Sequence, residues 1–417
     1  MTKSTNPYRK CNVKVSFYLR YGTVCTVQLT VKISPSSSVQ FGTQWARPKD
    51  VLTVLLIIGG DVIQRALAQL SGGYLTPVPF SFGWVAYSFN FMFTVGDRKL
   101  MPEPDYSSIV INAKSGYLRE NNSWVIGRVL RDFDYWKPKA VEIELEKMLD
   151  DARQADKAKE EVAGRSLEEN GANPTPDRRR VGLCISVFAT SSHRRAGADT
   201  TKDWIFYSGV IASVVQLGVA VIPLGLYGQW SILTITIWGT VLAFASGAMP
   251  QWKAEKWQCR RRKKTVILTK GNGAQHAIVI VGSDDEALDL EDLAHSDGEK
   301  SPLSLRLYAA FLAVMWLVFL ITVSGVTQNI WYLLAVGAVG MVQNVLVAGA
   351  PRDPAAFGLH LELVEVIGHR KVMQALMKLE NKHPGVGVNL VQIFFPGKLL
   401  ADEERFWEEK AQEMGSG

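Results

Sequence analysis

Charge is absent from three blocks of this chain: Ala66–Gly96, Trp204–Trp252 and Leu307–Pro351. About 20 apolar residues, each rising about 1.5 Å in a helix, cross a bilayer. The second and third blocks are each long enough for two crossings, and the first becomes so with the apolar residues before it. The pattern predicts six helices in three hairpins. The first hairpin runs over Val51–Leu70, turns through Ser71–Pro77 and returns over Val78–Gly96. The second pairs Trp204–Leu226 with Trp230–Ala248 across Tyr227-Gly228-Gln229, and the third pairs Leu307–Val326 with Ile330–Ala350. Gly239, Ala243 and Gly247 form a small-residue row that reads as a close helix–helix contact.

Other periods govern the rest. Val13–Leu19 and Val24–Val31 alternate about Tyr21-Gly22, so the N-terminal extension (residues 1–50) is either a β-hairpin or disordered. Residues 97–203 hold a strand around Ile109, a helical stretch Ser123–Asp134, a charged helix after Pro138 and a strand Val181–Ala189. In the charged helix Val141, Leu145, Met148, Leu149 and Ala152 make one apolar stripe. Asp156–Arg180 reads as a charged linker. Residues 250–306 hold strands Thr265–Thr269 and His276–Val281 about the turn Gly271-Asn272-Gly273, then an acidic loop. Residues 351–417 hold a strand Leu359–Ile367 and a helix Lys371–Asn381, and Phe394, Phe395, Phe406 and Trp407 are candidates to dock on the membrane or the soluble domain. No one segment can bury its own apolar face. The five strands are therefore expected to share one sheet, in a small cytosolic α+β domain assembled from the interhairpin loops and the tail. The fold class is a polytopic α-helical membrane protein carrying that domain.

Composition hides this division. The 417 residues are 47% hydrophobic and 21% charged, with a net charge of +6, which are ordinary soluble values. The position of the charge is what informs. Arg47, Lys49, Arg98, Lys99, Lys202, Lys253, Lys256, Arg306 and Arg352 all flank hairpins on the same side. The bias of Lys and Arg toward the cytosol places both termini and both long loops there. The run Arg260–Lys264 reads first as a topology anchor, and otherwise as a site for anionic lipid or nucleic acid. The lipid bilayer is thus the expected partner, joined by a protein partner or by self-association through the membrane helices, and nucleic acid is not. Six tryptophans (204, 230, 238, 252, 257 and 331) sit near span ends, where indole belongs. The cysteines Cys11, Cys25, Cys184 and Cys259 form no CxxC pair, which argues against a disulfide framework and a zinc site.

Candidate chemistry is sparse. Asp61, Gln64, Arg65 and Gln69 fall on one face of the first predicted span, and Asp61 and Arg65 are i,i+4 neighbours able to pair. They are the candidate catalytic or binding pair. Their bland reading is a structural ion pair or an interfacial helix. Gln216, Gln343 and Asn344 are the other strongly polar residues inside apolar runs, and with Gln64 they make a candidate intramembrane polar site. Interhelical hydrogen bonding is the commoner use of such residues. No cofactor motif is present. GxxxxGK[ST], HExxH, a nucleophile elbow, a kinase set and an EF-hand loop are all missing, and the six histidines lack metal spacing. The acidic stretch Asp284–Glu299 reads as a solvated loop.

The strings GGDVIQRALAQLSGG (59–73), PFSFGWVAYSF (79–89), SGYLRENNSWVIGRVLRDF (115–133), VAGAPRDPAAFGLHLELVEVIG (347–368) and ALMKLENKHPGVGVNLVQIFFPG (375–397) resemble an uncharacterised family of multi-pass membrane proteins from filamentous fungi. The resemblance runs from about residue 50 onward. It implies membership and a membrane location, and no activity. Three functions follow for testing: a membrane protein with a cytosolic interaction domain, a membrane-embedded enzyme acting on a lipid or apolar metabolite, and a small-molecule carrier. Convergence of Asp61, Arg65, Gln216 and Asn344 on one enclosed cavity favours the last two, and separate packing contacts favour the first.

Overall fold

The structure is a computed structural model. It describes residues 10–18, 24–32, 59–73, 75–94, 100–162, 182–191, 193–194, 196–197, 200–283, 287–295 and 302–415. Strands β1 (Lys10–Tyr18) and β2 (Val24–Lys32) pair antiparallel, from Lys10↔Lys32 to Tyr18↔Val24, as the alternation predicts. Then come α1 (Gly60–Leu70), α2 (Gly83–Thr94), β3 (Ile109–Asn112), β4 (Leu118–Glu120), α3 (Trp124–Arg131), α4 (Phe133–Trp136) and α5 (Lys139–Val162). The next group is β5 (Leu183–Thr190), α6 (Trp204–Tyr227), α7 (Ser231–Gly247), α8 (Pro250–Lys256), β6 (Thr265–Thr269), β7 (His276–Val281) and α9 (Leu290–His295). The last is α10 (Leu303–Ser324), α11 (Ile330–Gly349), α12 (Pro354–Phe357), β8 (Leu361–His369), α13 (Val372–Lys382), α14 (Val388–Phe394) and α15 (Ala401–Gly415).

Among the described residues four helices are long and apolar enough to cross a membrane: Trp204–Tyr227, Ser231–Lys256 (α7 running on into α8), Leu303–Ser324 and Ile330–Gly349. They form the second and third predicted hairpins. Their outward faces are exposed and apolar: Ile211, Val214, Val241, Phe311, Ile321 and Val345 are examples. Trp204, Trp230 and Trp331 stand exposed at their ends, whereas Trp252 is buried. The first predicted hairpin differs. Within the described residues it holds α1 of 11 residues and α2 of 12, about 17 and 18 Å of helix against a hydrocarbon core of about 30 Å. Residues 51–58 and 95–99 lie outside the described residues. The expected second span starts as helix only at Gly83, because Pro77 and Pro79 remove backbone donors and fix an extended path.

All five predicted strands join one sheet, and a sixth, β4, extends it. The order is β4-β3-β6-β7-β5-β8, antiparallel except for β5 against β7. The second helical hairpin sits in the β5-to-β6 connection and the third in the β7-to-β8 connection. Gly271 and Gly273, both at positive φ, turn β6 into β7. One sheet face, with Ile111, Ile185, Val187, Ile267 and Val279, packs under α13–α15. Phe394 and Trp407 dock there, against the sheet. The other face, with Val110, Phe188, Leu268 and Ile280, shares a core with α3, α9, α1, α2 and the long helices. The α5 stripe lies against β8 and β5, with Val141 and Met148 buried.

The acidic stretch is not a free loop throughout. Asp289, Glu291 and Asp292 are ordered at α9 and pair with the basic run: Arg260–Asp292 at 3.0 Å, Lys264–Asp289 at 2.7 Å and Lys264–Glu291 at 2.9 Å. Asp284, Asp285, Glu286, Asp297 and Glu299 lie outside the described residues.

Candidate functional site

Two features stand out where the sheet meets the apolar helices. The first is the stretch between α1 and α2. Residues Thr76–Phe82 run extended and buried into the core of the long helices. Irregular backbone at such a place is tolerated only when protein satisfies its polar groups. Gln216 Nε2 donates to Phe80 O at 2.6 Å and to Val336 O at 2.7 Å. Asn344 Nδ2 donates to Pro79 O at 3.2 Å and to Ser81 Oγ at 3.1 Å. Trp84 Nε1 also donates to Pro79 O, and Thr76 Oγ1 to Gly247 O, each at 3.0 Å. Glycines open the groove. A Cβ on Gly340 would fall 1.8 Å from Phe80 O, on Gly209 2.0 Å from Pro77 O, and on Gly337 2.0 Å from the Phe82 ring. The Gly239–Gly247 row does the same work. Gly239 faces Phe80 and Gly247 faces Thr76, so the row receives this segment where a neighbouring helix was expected.

The second feature is a cluster of buried cations at two helix carboxyl ends. Such ends carry partial negative charge and orphan carbonyls. At α1, Lys256 Nζ donates to Ala68 O at 2.9 Å and Ser71 O at 2.6 Å, and Arg352 Nη1 donates to Gln69 O. At α11, Arg128 donates to Ala348 O, Arg131 to Gly349 O at 3.2 Å, and Gln69 to Ala350 O at 2.9 Å. Arg352 also grips Asp203 in two-pronged fashion at 2.7 and 2.9 Å, and Asp203 caps α6 through Phe206 N. Lys256 and Arg352 both lie over the Phe357 ring, at 5.2 and 5.4 Å. Arg65, Arg128 and Arg131 converge on Asp105 at 3.1, 3.6 and 4.0 Å. Burial pushes the Asp132 carboxyl up. The Arg131 hydrogen bond and charge and the Arg352 backbone N–H oppose that shift, and the Asp105 charge adds to it.

The predicted polar residues therefore do not meet in one cavity. Gln216 and Asn344 share the extended segment as partner. Gln343 donates to Ser208 Oγ at 2.6 Å, and Gln64 to Leu100 O at 2.8 Å. Asp61 and Arg65 lie on the exposed side of α1, and the carboxylate that Arg65 meets is Asp105 rather than Asp61. An opening of about 600 Å3 lies at the opposite end of the long helices, between Trp230, Thr234, Trp238, Thr322 and Gln328, and none of these candidates lines it. Burial pushes the Cys184 and Cys259 thiols up to about 12, helped by Glu144 at the first and by Asp292 and Asp289 at the second, so both stay protonated and poor as nucleophiles. Among the described residues no three His, Cys, Asp or Glu side chains group as a metal would need.

Lys256, Arg352 and Arg128 are absent from the sequence candidates. The first two read as span-flanking anchors, and Arg128 is one polar residue in an amphipathic helix. Comparison with protein-family models, curated proteins and solved structures found no match.

Proposed function

We propose that this chain is a multi-pass integral membrane protein that holds an α+β interaction domain in fixed orientation at the cytosolic face. The observation that carries the reading is the junction. Buried Arg128, Lys256 and Arg352, which originate in the soluble segments or at their borders, close the carboxyl ends of α1 and α11. The exposed apolar belt supports the membrane location. Four helices cross in this reading, and the first hairpin is embedded among them without adding two further crossings. Both termini face the cytosol, on the strength of the basic flanks. Membership of the fungal family that the five strings resemble is part of the proposal.

A carrier is the second reading. The extended Thr76–Phe82 stretch between two short helices favours it, because transporters place broken helices beside their substrate sites. Against it, the Gln216 and Asn344 amide nitrogens are already engaged by Phe80 O, Val336 O, Pro79 O and Ser81 Oγ, and neither residue lines the opening of about 600 Å3. The enzyme reading has Asp61 and Arg65 as its pair, and their exposure weakens it.

The test is in sealed, cytosol-out vesicles carrying full-length protein. Tags at residues 1, 290 and 417 should all be cut by added protease, while the chain resists alkaline carbonate extraction. Protection of any tag overturns the orientation. Release by carbonate overturns the membrane reading itself.

A further inference from the structure

The opening of about 600 Å3 lies between the α6–α7 turn and the α10–α11 turn, at the end of the long helices away from the sheet. One wall runs from Trp230, the residue before α7, down to Trp238, roughly 12 Å along the helix. Thr322, in the last turn of α10, forms part of the other wall. Ile237 and Ile321, next in the chain to Trp238 and Thr322, are exposed, so the apolar belt reaches the mouth. The rim is tied. Gln229 of one turn donates to Gln328 and accepts from Asn329 Nδ2 at 2.7 Å, both in the other turn. The Trp238 ring is held edge-to-face with Phe319, 5.8 Å between centres.

Three properties give the opening a chemistry. First, its lining carries no charged side chain, and neither do the two blocks that build it, Trp204–Trp252 and Leu307–Pro351. A phosphate or an ammonium would meet no countercharge there. Second, it is rich in neutral polar groups. The Ser231 and Thr327 hydroxyls have no partner among the described residues. Thr234 and Thr322 spend their protons on Trp230 O at 3.1 Å and Val318 O at 2.8 Å, which leaves both oxygens able to accept. Third, the Trp230 indole is 68% exposed at the mouth, a flat apolar surface beside those hydroxyls. A pyranose ring matches all three. Its C–H face packs on the negative face of an indole, and the hydroxyls round its edge both donate and accept. A sterol brings one hydroxyl and would leave most of these groups without a partner.

We propose that this opening binds a neutral sugar ring, stacked on Trp230, with Ser231, Thr234, Thr322 and Thr327 on its hydroxyls. A free sugar and the glycosyl headgroup of a membrane lipid share that chemistry, and the apolar belt at the mouth favours the lipid. The inference rests on the membrane reading and puts the site at the non-cytosolic face. Failure of that reading shows separately, as release by carbonate or as a protected tag.

The test uses full-length protein in a zwitterionic detergent, because a glucoside or maltoside would itself present a sugar. Glucosylceramide, ceramide of the same chain length and cholesterol are added at equal concentration, and retention is read by native mass spectrometry. Glucose at that concentration is a competing arm. Glucosylceramide should be retained about tenfold over ceramide, the scale of one or two net hydrogen bonds. Trp230→Leu and Thr327→Val should each cut that preference several-fold. Both residues are exposed, so the thermal midpoint should hold. Trp204→Leu, which removes an exposed indole at the sheet-side end, should leave the preference intact. Equal retention of glucosylceramide and ceramide, stronger retention of cholesterol, or an unchanged preference in both variants overturns the site. An equal loss in Trp204→Leu overturns its location. Displacement of glucosylceramide by equimolar glucose overturns the lipid source.

Discussion

The ammonium of Lys256 sits 2.6 Å from the carbonyl oxygen of Ser71, across 185 residues of chain. Lys256 is buried, and the same nitrogen holds Ala68 O, so one side chain closes the last turn of α1. Lys256→Met keeps the length and apolar stem but leaves both carbonyls without this donor, at about 1–3 kcal/mol each. The thermal midpoint in detergent is expected to fall clearly. An unchanged midpoint would mean that α1 does not depend on this cap.

The groove glycines give a sharper contrast. Gly340→Ala drives a methyl onto Phe80 O, and overpacking of this kind costs about 1–3 kcal/mol or more. Gly218, in α6, has nothing within 4 Å of a new Cβ. Gly218→Ala should be neutral or stabilising by up to about 1 kcal/mol from helix propensity. Membrane-resident folded protein, measured by fluorescence-detected size exclusion, should drop for Gly340→Ala alone.

Asp105 should outweigh Arg65. Arg65 is half exposed, and surface pairs contribute about 0–1 kcal/mol. Asp105 also faces Arg128, which is buried. Asp105→Ala leaves that cation short of its carboxylate, at about 3–5 kcal/mol by analogy with broken buried pairs. Arg65→Ala should change folded yield little, and Asp61→Ala combined with it should rescue nothing. Rescue by the double variant would restore an Asp61–Arg65 couple.

Acid should loosen the sheet domain. Glu291 and Glu365 are both drawn upward by burial, yet Lys264, Asn112 and Arg119 at the first and Lys382 and His383 at the second bring them below the ordinary 4.5. The Arg260 hydrogen bond holds Asp292 below 3.8. A carboxylate whose folded pKa is depressed adds stability that is present above its unfolded value and lost as pH falls through the folded one. The thermal midpoint should therefore decline as pH drops below about 4.5, through these carboxylates. Glu291→Gln should flatten that decline. An identical slope in the variant would take Glu291 out of the account.

How much of this was legible varies by element. The second and third hairpins were plain, because an uncharged run of such length has one common use. Five of the six sheet strands were plain too, as short apolar runs with the Gly271–Gly273 turn a local signal, whereas the three-residue β4 was not. The first hairpin was less legible, because absence of charge reports burial as well as crossing, and among the described residues α1 and α2 are each shorter than a span. Val78–Phe82 is apolar because protein surrounds it. Pro77 and Pro79, two prolines in three residues, were the available sign of an extended path. Gln216 and Asn344 do make hydrogen bonds, Gln216 across to Val336 O of α11, but their other partners are Phe80 O, Pro79 O and Ser81 Oγ of that path, a placement no side-chain pattern displays. Arg65 has a carboxylate at i−4 and pairs with another 40 residues on, a choice made by tertiary placement. Lys256 and Arg352 carry the same sequence signal as any anchor beside a span.

The extended Thr76–Phe82 segment also sets an order of events at the ribosome. Ser81 precedes its donor Asn344 by 263 residues. At about 5–20 residues per second, that interval is on the order of ten seconds or more. For all that time the segment is synthesised but has no groove, and lipid cannot take its carbonyls. It must wait in the translocation machinery, at the interface or under a chaperone, and enter only when α11 arrives. A nascent chain stalled before residue 330 should leave this segment open to protease or to a cysteine-directed probe placed at Ser81, and release of the complete chain should close it.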